Sequence, residues 1–173
     1  MSRKASLKLM PFNGQRNPEH EKEAPGKFQV TRHNWNWGYH EDYPIYPYSF
    51  EEALRLSSTW FSENYNRYML LTIVPEGEMI YKNNTQEFLL HGNNLLVIPQ
   101  GQAFYFQTTH KTYYRKLSLF LLGTNLAAIA GTLGLNEMQM ISLPDSGEFI
   151  EEMRKIDSLL VSSRPEDMPE MSG

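Results

Sequence analysis

From Tyr68 onward, apolar and polar residues alternate in short runs. The β-prone runs are Tyr68–Val74, Met79–Asn83, Gln86–Leu90, Leu95–Ile98, Ala103–Gln107 and Tyr113–Leu122. Turn chemistry separates them: Pro75 and Gly77, Asn83-Asn84, Gly92-Asn93-Asn94, then Pro99 and Gly101. Short strands at close spacing with such breaks predict an antiparallel sandwich or barrel. Upstream, Phe28 to His33 reads as a strand and Trp35 to His40 as an aromatic segment. Ser49-Phe-Glu-Glu52 has the form of a capping box and predicts a short helix over 50–56. After Gly123 the period changes from two to about 3.6. Thr124 can cap a helix over 124–134, with Leu126, Ile129, Ala130 and Leu133 on one face. Asp145 and Glu148 form a second capping box, and the helix behind it aligns Phe149, Met153, Ile156 and Leu160.

This pattern divides the 173 residues into three parts. Residues 1–27 are polar and interrupted by Pro11, Pro18 and Pro25, the composition of an arm with little structure of its own. Residues 28–143 form the β domain, and 144–173 hold the last helix and a Pro-containing end that reads as a truncated linker. Aromatic residues make up 13% of the chain, enough to fill a β core and leave rings to line a pocket. The net charge of −4 gives no general attraction to phosphate backbones or anionic membranes. The absence of cysteine excludes disulfides, thiolate catalysis and Cys-based zinc sites. Without a signal peptide or a membrane-length apolar run, a cytoplasmic location is expected.

Charge and spacing then limit the chemistry. The five histidines form no His-x-His or His-x-x-x-His pair, so no metal and no cofactor is expected. No Gly-x-Ser-x-Gly and no phosphate-binding loop occurs. Glu51-Glu52 and Glu151-Glu152 read as solvated acidic pairs on helix faces. Leu126 to Met140 scans like a helix-turn-helix, but no Lys or Arg lies between Lys116 and Arg154 to meet phosphates. That segment reads instead as a helix packed on the β domain.

Three motifs in order carry a resemblance. They are Tyr68-Met-Leu-Leu-Thr-Ile-Val-Pro-Glu-Gly77, Phe88-Leu-Leu-His-Gly-Asn-Asn-Leu-Leu-Val-Ile-Pro-Gln-Gly101 and Tyr114-Arg-Lys-Leu-Ser-Leu-Phe-Leu-Leu-Gly123. Together they resemble the N-terminal sensing domain of AraC-family transcription regulators. The resemblance implies a mainly β fold, a cupin-like antiparallel barrel (a double-stranded β-helix) followed by C-terminal helices. Two departures stand out: Phe104 occupies the position of the common cupin histidine, and Gly92-Asn93-Asn94 replaces a shorter Gly-Asp turn.

The function implied is that of a non-enzymatic domain that senses a small molecule, a sugar, and forms a homodimer. DNA would be reached only through a C-terminal domain absent from this chain. A stand-alone cupin enzyme (a metal-dependent isomerase or dioxygenase) and a non-sensing dimerisation module are the alternatives. With Lys82 and Glu87 toward water, Met79, Tyr81, Phe88 and Leu90 turn inward. The family's histidine position points inward too, which sends Phe104 and Phe106 in. With Lys116 and Ser118 outward, Tyr113, Arg115, Leu117 and Leu119 face in.

Arg115 is then the leading ligand contact, able to fork to a carboxylate or to vicinal hydroxyls, with Tyr81 or Trp60 stacking on a sugar ring. Tyr113, Phe104, Phe106, Phe88 and Trp37 complete the candidate lining. The three phenylalanines serve equally as core, Arg115 as partner of a structural acid, and Trp37 as a cap on the mouth. The stripe Phe149, Met153, Ile156 and Leu160 is the candidate dimer surface, or packs on its own barrel.

Overall fold

The computed structural model describes residues 28–34, 43–56, 60–63, 65–108 and 113–162. Ten strands run in chain order: β1 Phe28–Asn34, β2 Tyr46–Arg55, β3 Trp60–Glu63, β4 Met69–Gly77, β5 Met79–Lys82, β6 Glu87–Leu90, β7 Asn94–Ile98, β8 Phe104–Gln107, β9 Tyr114–Leu122 and β10 Gln139–Ser142. Helix α1 spans Leu126–Thr132 and α2 spans Ser146–Ser162. All pairings are antiparallel. One sheet has the order β1-β2-β9-β4-β7-β10 and the other β3-β8-β5-β6.

Strands β2 to β9 thus divide as 2-9-4-7 against 3-8-5-6, the order of a jelly roll, the double-sheet form that cupins share. The expected fold class holds, with β1 and β10 added at the two edges of the larger sheet. The β5–β6 hairpin closes as the Asn83-Asn84 turn signal predicts: Asn83 Oδ1 accepts the amide hydrogens of Thr85 at 2.9 Å and Gln86 at 2.7 Å. Gly77, at φ +75°, ends β4 where a Cβ would run into the Tyr113 carbonyl, so no other residue fits without displacing backbone.

The larger sheet is covered on both faces. Its outer side carries Phe50, Ile73, Leu117 and Leu119 against α2, and Met69, Leu95 and Val97 against α1. Met153 and Leu160 are buried there, with Phe149 and Ile156 packed beside them. The stripe expected to bind a second copy therefore spends its apolar surface on its own sheet. Each such fully buried side chain contributes roughly 1.5–3 kcal/mol of transfer free energy.

Three local expectations change. Residues 50–56, read as a helix, lie almost wholly in β2 and pair with β1 and β9, because two-sided burial outweighs a four-residue cap signal. Thr124 does not cap α1; its hydroxyl donates to the Tyr43 carbonyl at 3.2 Å, and Asn125 takes the cap position without a side-chain bond. Gln139–Ser142 is a strand on β7. Asp145 behaves as expected, its Oδ1 accepting the Gly147 amide hydrogen at 2.8 Å at the start of α2.

Candidate interior binding site

Register places two contrasting rows inside the jelly roll. Residues paired across an antiparallel sheet share a face. On the smaller sheet, Phe61, Phe106, Tyr81 and Phe88 stand in one register row. Tyr81 lies 5.7 Å from Phe106 and 6.2 Å from Phe88, between ring centroids. Phe104 adds a contact of 4.7 Å to Phe106. Burial pushes the Tyr81 phenol above its ordinary range, so it stays a neutral hydroxyl.

Across from them, on the larger sheet, Arg32, Glu51, Ser118 and Thr72 form another single row through β1, β2, β9 and β4. Lys116, two residues before Ser118 on the same face, is 3% exposed. Its Nζ donates to Glu51 Oε1 at 2.7 Å and to Ser118 Oγ at 3.1 Å. Ser118 and Thr72 share a hydrogen bond of 2.9 Å. Arg32 Nε donates to Glu51 Oε2 at 3.0 Å, and Nη2 reaches the same oxygen.

Burial alone would raise the Glu51 carboxyl, but Lys116 and Arg32 outweigh it and hold the group at about 2. Burial lowers the Lys116 ammonium, and Glu51 only partly restores it. Cations bridge the two rows: Lys116 Nζ stands 5.1 Å from the Phe106 centroid, and the Arg55 guanidinium 5.7 Å from Phe61.

The polar row reaches solvent at Arg32 on β1. The Arg32 side chain is 36% exposed and lies 5.0 Å over the Phe120 ring. Tyr68 meets Phe120 edge-on at 5.6 Å and stacks on Tyr48 at 4.8 Å. Burial, then the hydrogen bond and proximity of Tyr48, push the Tyr68 phenol up to about 12.

The candidates from sequence separate accordingly. Phe104, Phe106 and Tyr81 face the interior, and Phe88 packs against the same core. Arg115 does not. It lies on the outer face, 3.7 Å from Glu52 and 3.5 Å from Glu76. The assumed direction of β9 is inverted: Tyr114, Lys116, Ser118 and Phe120 turn inward, and Leu117 and Leu119 turn toward α2. Tyr113 precedes β9 and is 45% exposed. Trp60 is on the outer face of the smaller sheet, stacked on Tyr105 at 5.8 Å. Trp37 lies outside the described residues.

Sequence reasoning missed Arg32, Glu51, Lys116 and Ser118. The available signal was the second alternate set in β9, Lys116-x-Ser118-x-Phe120, which becomes visible once α2 is assigned to the Leu face. Among the described residues, no group of three His, Cys, Asp or Glu side chains is arranged to hold a metal ion. His33 is committed to Asp157, Nδ1 to Oδ1 at 2.6 Å. No described helix is long and apolar enough to cross a membrane.

The class that strand order and enclosed interior define is a cupin-type jelly roll. No family model matches the chain, and no curated protein matches it either. Among solved structures, YhaK from Escherichia coli is similar over 67% of this chain and 52% of its own, at 12% identity and a TM-score of 0.51. The cupin domain of an XRE-family transcriptional regulator from Enterobacter cloacae aligns over 54% of this chain and 95% of its own, at 9% identity and TM-score 0.43. A cupin superfamily protein from Desulfitobacterium hafniense DCB-2 aligns over 54% and 78%, at 16% identity and TM-score 0.42. These likenesses concern the fold alone.

Proposed function

We propose that this chain is a non-enzymatic, small-molecule-sensing domain of a transcription regulator, of the kind the AraC-like motifs suggest. Its effector is a polyhydroxylated molecule of sugar type, held in the jelly-roll interior. The observation that carries this reading is the row Arg32-Glu51-Ser118-Thr72, buried except at Arg32 and set opposite a row of four aromatic rings. A core built for stability alone favours apolar residues at such positions, because desolvating a charge pair offsets much of its attraction. Polar groups over aromatic faces are what a hydroxylated ring needs from its site. DNA is reached through a separate domain, and pairing of two copies uses a surface other than the α2 stripe, which its own sheet covers.

The test is thermal unfolding across a panel of sugars, polyols and small acids, with Lys116→Met as control. A sensing domain gives a concentration-dependent rise in Tm with at least one compound, lost in the variant. A flat response across the panel and across metabolite extracts would leave only a structural module.

A further inference from the structure

Beside the Phe120 ring stand two groups whose bonding is incomplete among the described residues. Arg32 gives one edge of its guanidinium, Nε and Nη2, to Glu51. The edge carrying Nη1 has no partner there, and the side chain reaches solvent while its plane rests on Phe120. Ser49 pairs in register with Phe120 and sits two residues from Glu51 on the same face of β2. Its residue is only 2% exposed, yet its hydroxyl meets no hydrogen-bond partner among the described residues. A buried hydroxyl left in that state is costly, and a ligand group that meets it removes the cost. Arg32 pairs with Glu51, so Ser49 is its diagonal neighbour across β1 and β2, roughly 7–8 Å away and within the span of one small molecule.

Charge selects the class of molecule. Arg32 and Lys116 converge on the single carboxylate of Glu51, a local excess of one positive charge. A guanidinium edge fixed by one carboxylate and an aromatic plane is a preformed fork for a second carboxylate. We propose that Arg32 and Ser49 recognise a small hydroxylated carboxylate, an aldonate or uronate, with the acid on Arg32 and a hydroxyl on Ser49. Tyr68 and Phe120 supply the wall against which its carbon skeleton lies. This rests on the sensing reading above and gives that site its ligand class.

The experiment is calorimetric titration of the full 173-residue chain with D-gluconate, D-glucuronate and D-glucose, repeated with Arg32→Lys and Ser49→Ala. At least one acid should bind about tenfold or more tighter than glucose, the discrimination a bidentate arginine confers. Arg32→Lys keeps the charge and removes the fork, and should erase most of the preference for the acid over glucose. Ser49→Ala should weaken the acid severalfold; unfolding curves confirm that both variants are folded. Glucose binding as tightly as both acids would overturn the proposal while the sensing reading stands. Acid binding indifferent to both substitutions would do the same. No binding by any of the three compounds overturns the proposal, and the sensing reading is then judged on the wider panel alone.

Discussion

The smaller sheet turns Phe61, Phe106, Tyr81 and Phe88 inward, while the larger one answers with Arg32, Glu51, Ser118 and Thr72. Both rows follow from strand register, and both face the inside of the jelly roll, yet their energetic roles differ. Rings at 4.7 to 6.2 Å gain transfer free energy and favourable ring contacts, with the Tyr81 hydroxyl the one polar group to desolvate among them. The polar row begins with a penalty of several kcal/mol per buried ion, which hydrogen bonds and mutual attraction must recover. The difference teaches that the aromatic face holds the jelly roll together through burial, while the polar face has first to recover its own desolvation.

The sharpest break in this contrast is Phe106→Ala. It should cost about 4 kcal/mol of unfolding free energy by urea denaturation, since the ring is 1% exposed and its neighbours cannot close the gap.

Glu51→Ala comes next, at about 3 kcal/mol, because it strands Lys116 without its carboxylate. Glu51 also predicts a pH dependence. Its folded pKa, about 2, lies below the ordinary value of 4.5, so the folded state binds its proton less readily than the unfolded one. The stabilisation is complete above about 4.5 and lost as pH falls toward about 2. Urea midpoints between pH 6 and pH 2.5 should fall in the parent, and fall less in Glu51→Ala.

The smallest effect is expected on the outside. Arg115→Ala removes long ion pairs to Glu52 and Glu76 in partial contact with water, and should cost about 0.5 kcal/mol or less. It should leave any ligand affinity unchanged. A ligand lost on that substitution would return Arg115 to the site and break the assignment of faces.

How much of this was legible in the sequence follows from which faces are covered. Strands β4 to β9 announce themselves through alternation and turn residues, and the helix from Ser146 through its Asp145 start and its stripe. Phe104 and Phe106 alternate against half-exposed Tyr105 and Gln107, so their direction is readable. Strand β9 is not readable in this way, because both of its faces are buried. Leu117 and Leu119 look like the core set, but they face α2, and Lys116 with Ser118 faces the interior. Glu51 was hidden for a related reason. Next to Ser49 and Glu52 it completes a helix-cap pattern, and only the place of β2 between β1 and β9 shows it to be the hub of a buried network. Local signals report local structure; the candidate site is assembled by pairings such as that of Glu51 with Ser118, 67 positions apart.

The most direct test of the polar row's purpose is the unfolding free energy of the double replacement Glu51→Leu with Lys116→Met, measured by urea denaturation without ligand. Removing both partners of a buried pair for apolar groups of similar size is expected to be neutral or stabilising, within about 1 kcal/mol of the parent or above it. That result would show that the jelly roll does not need these charges to fold. A loss of about 3 kcal/mol or more would make the row a structural necessity and contradict the account.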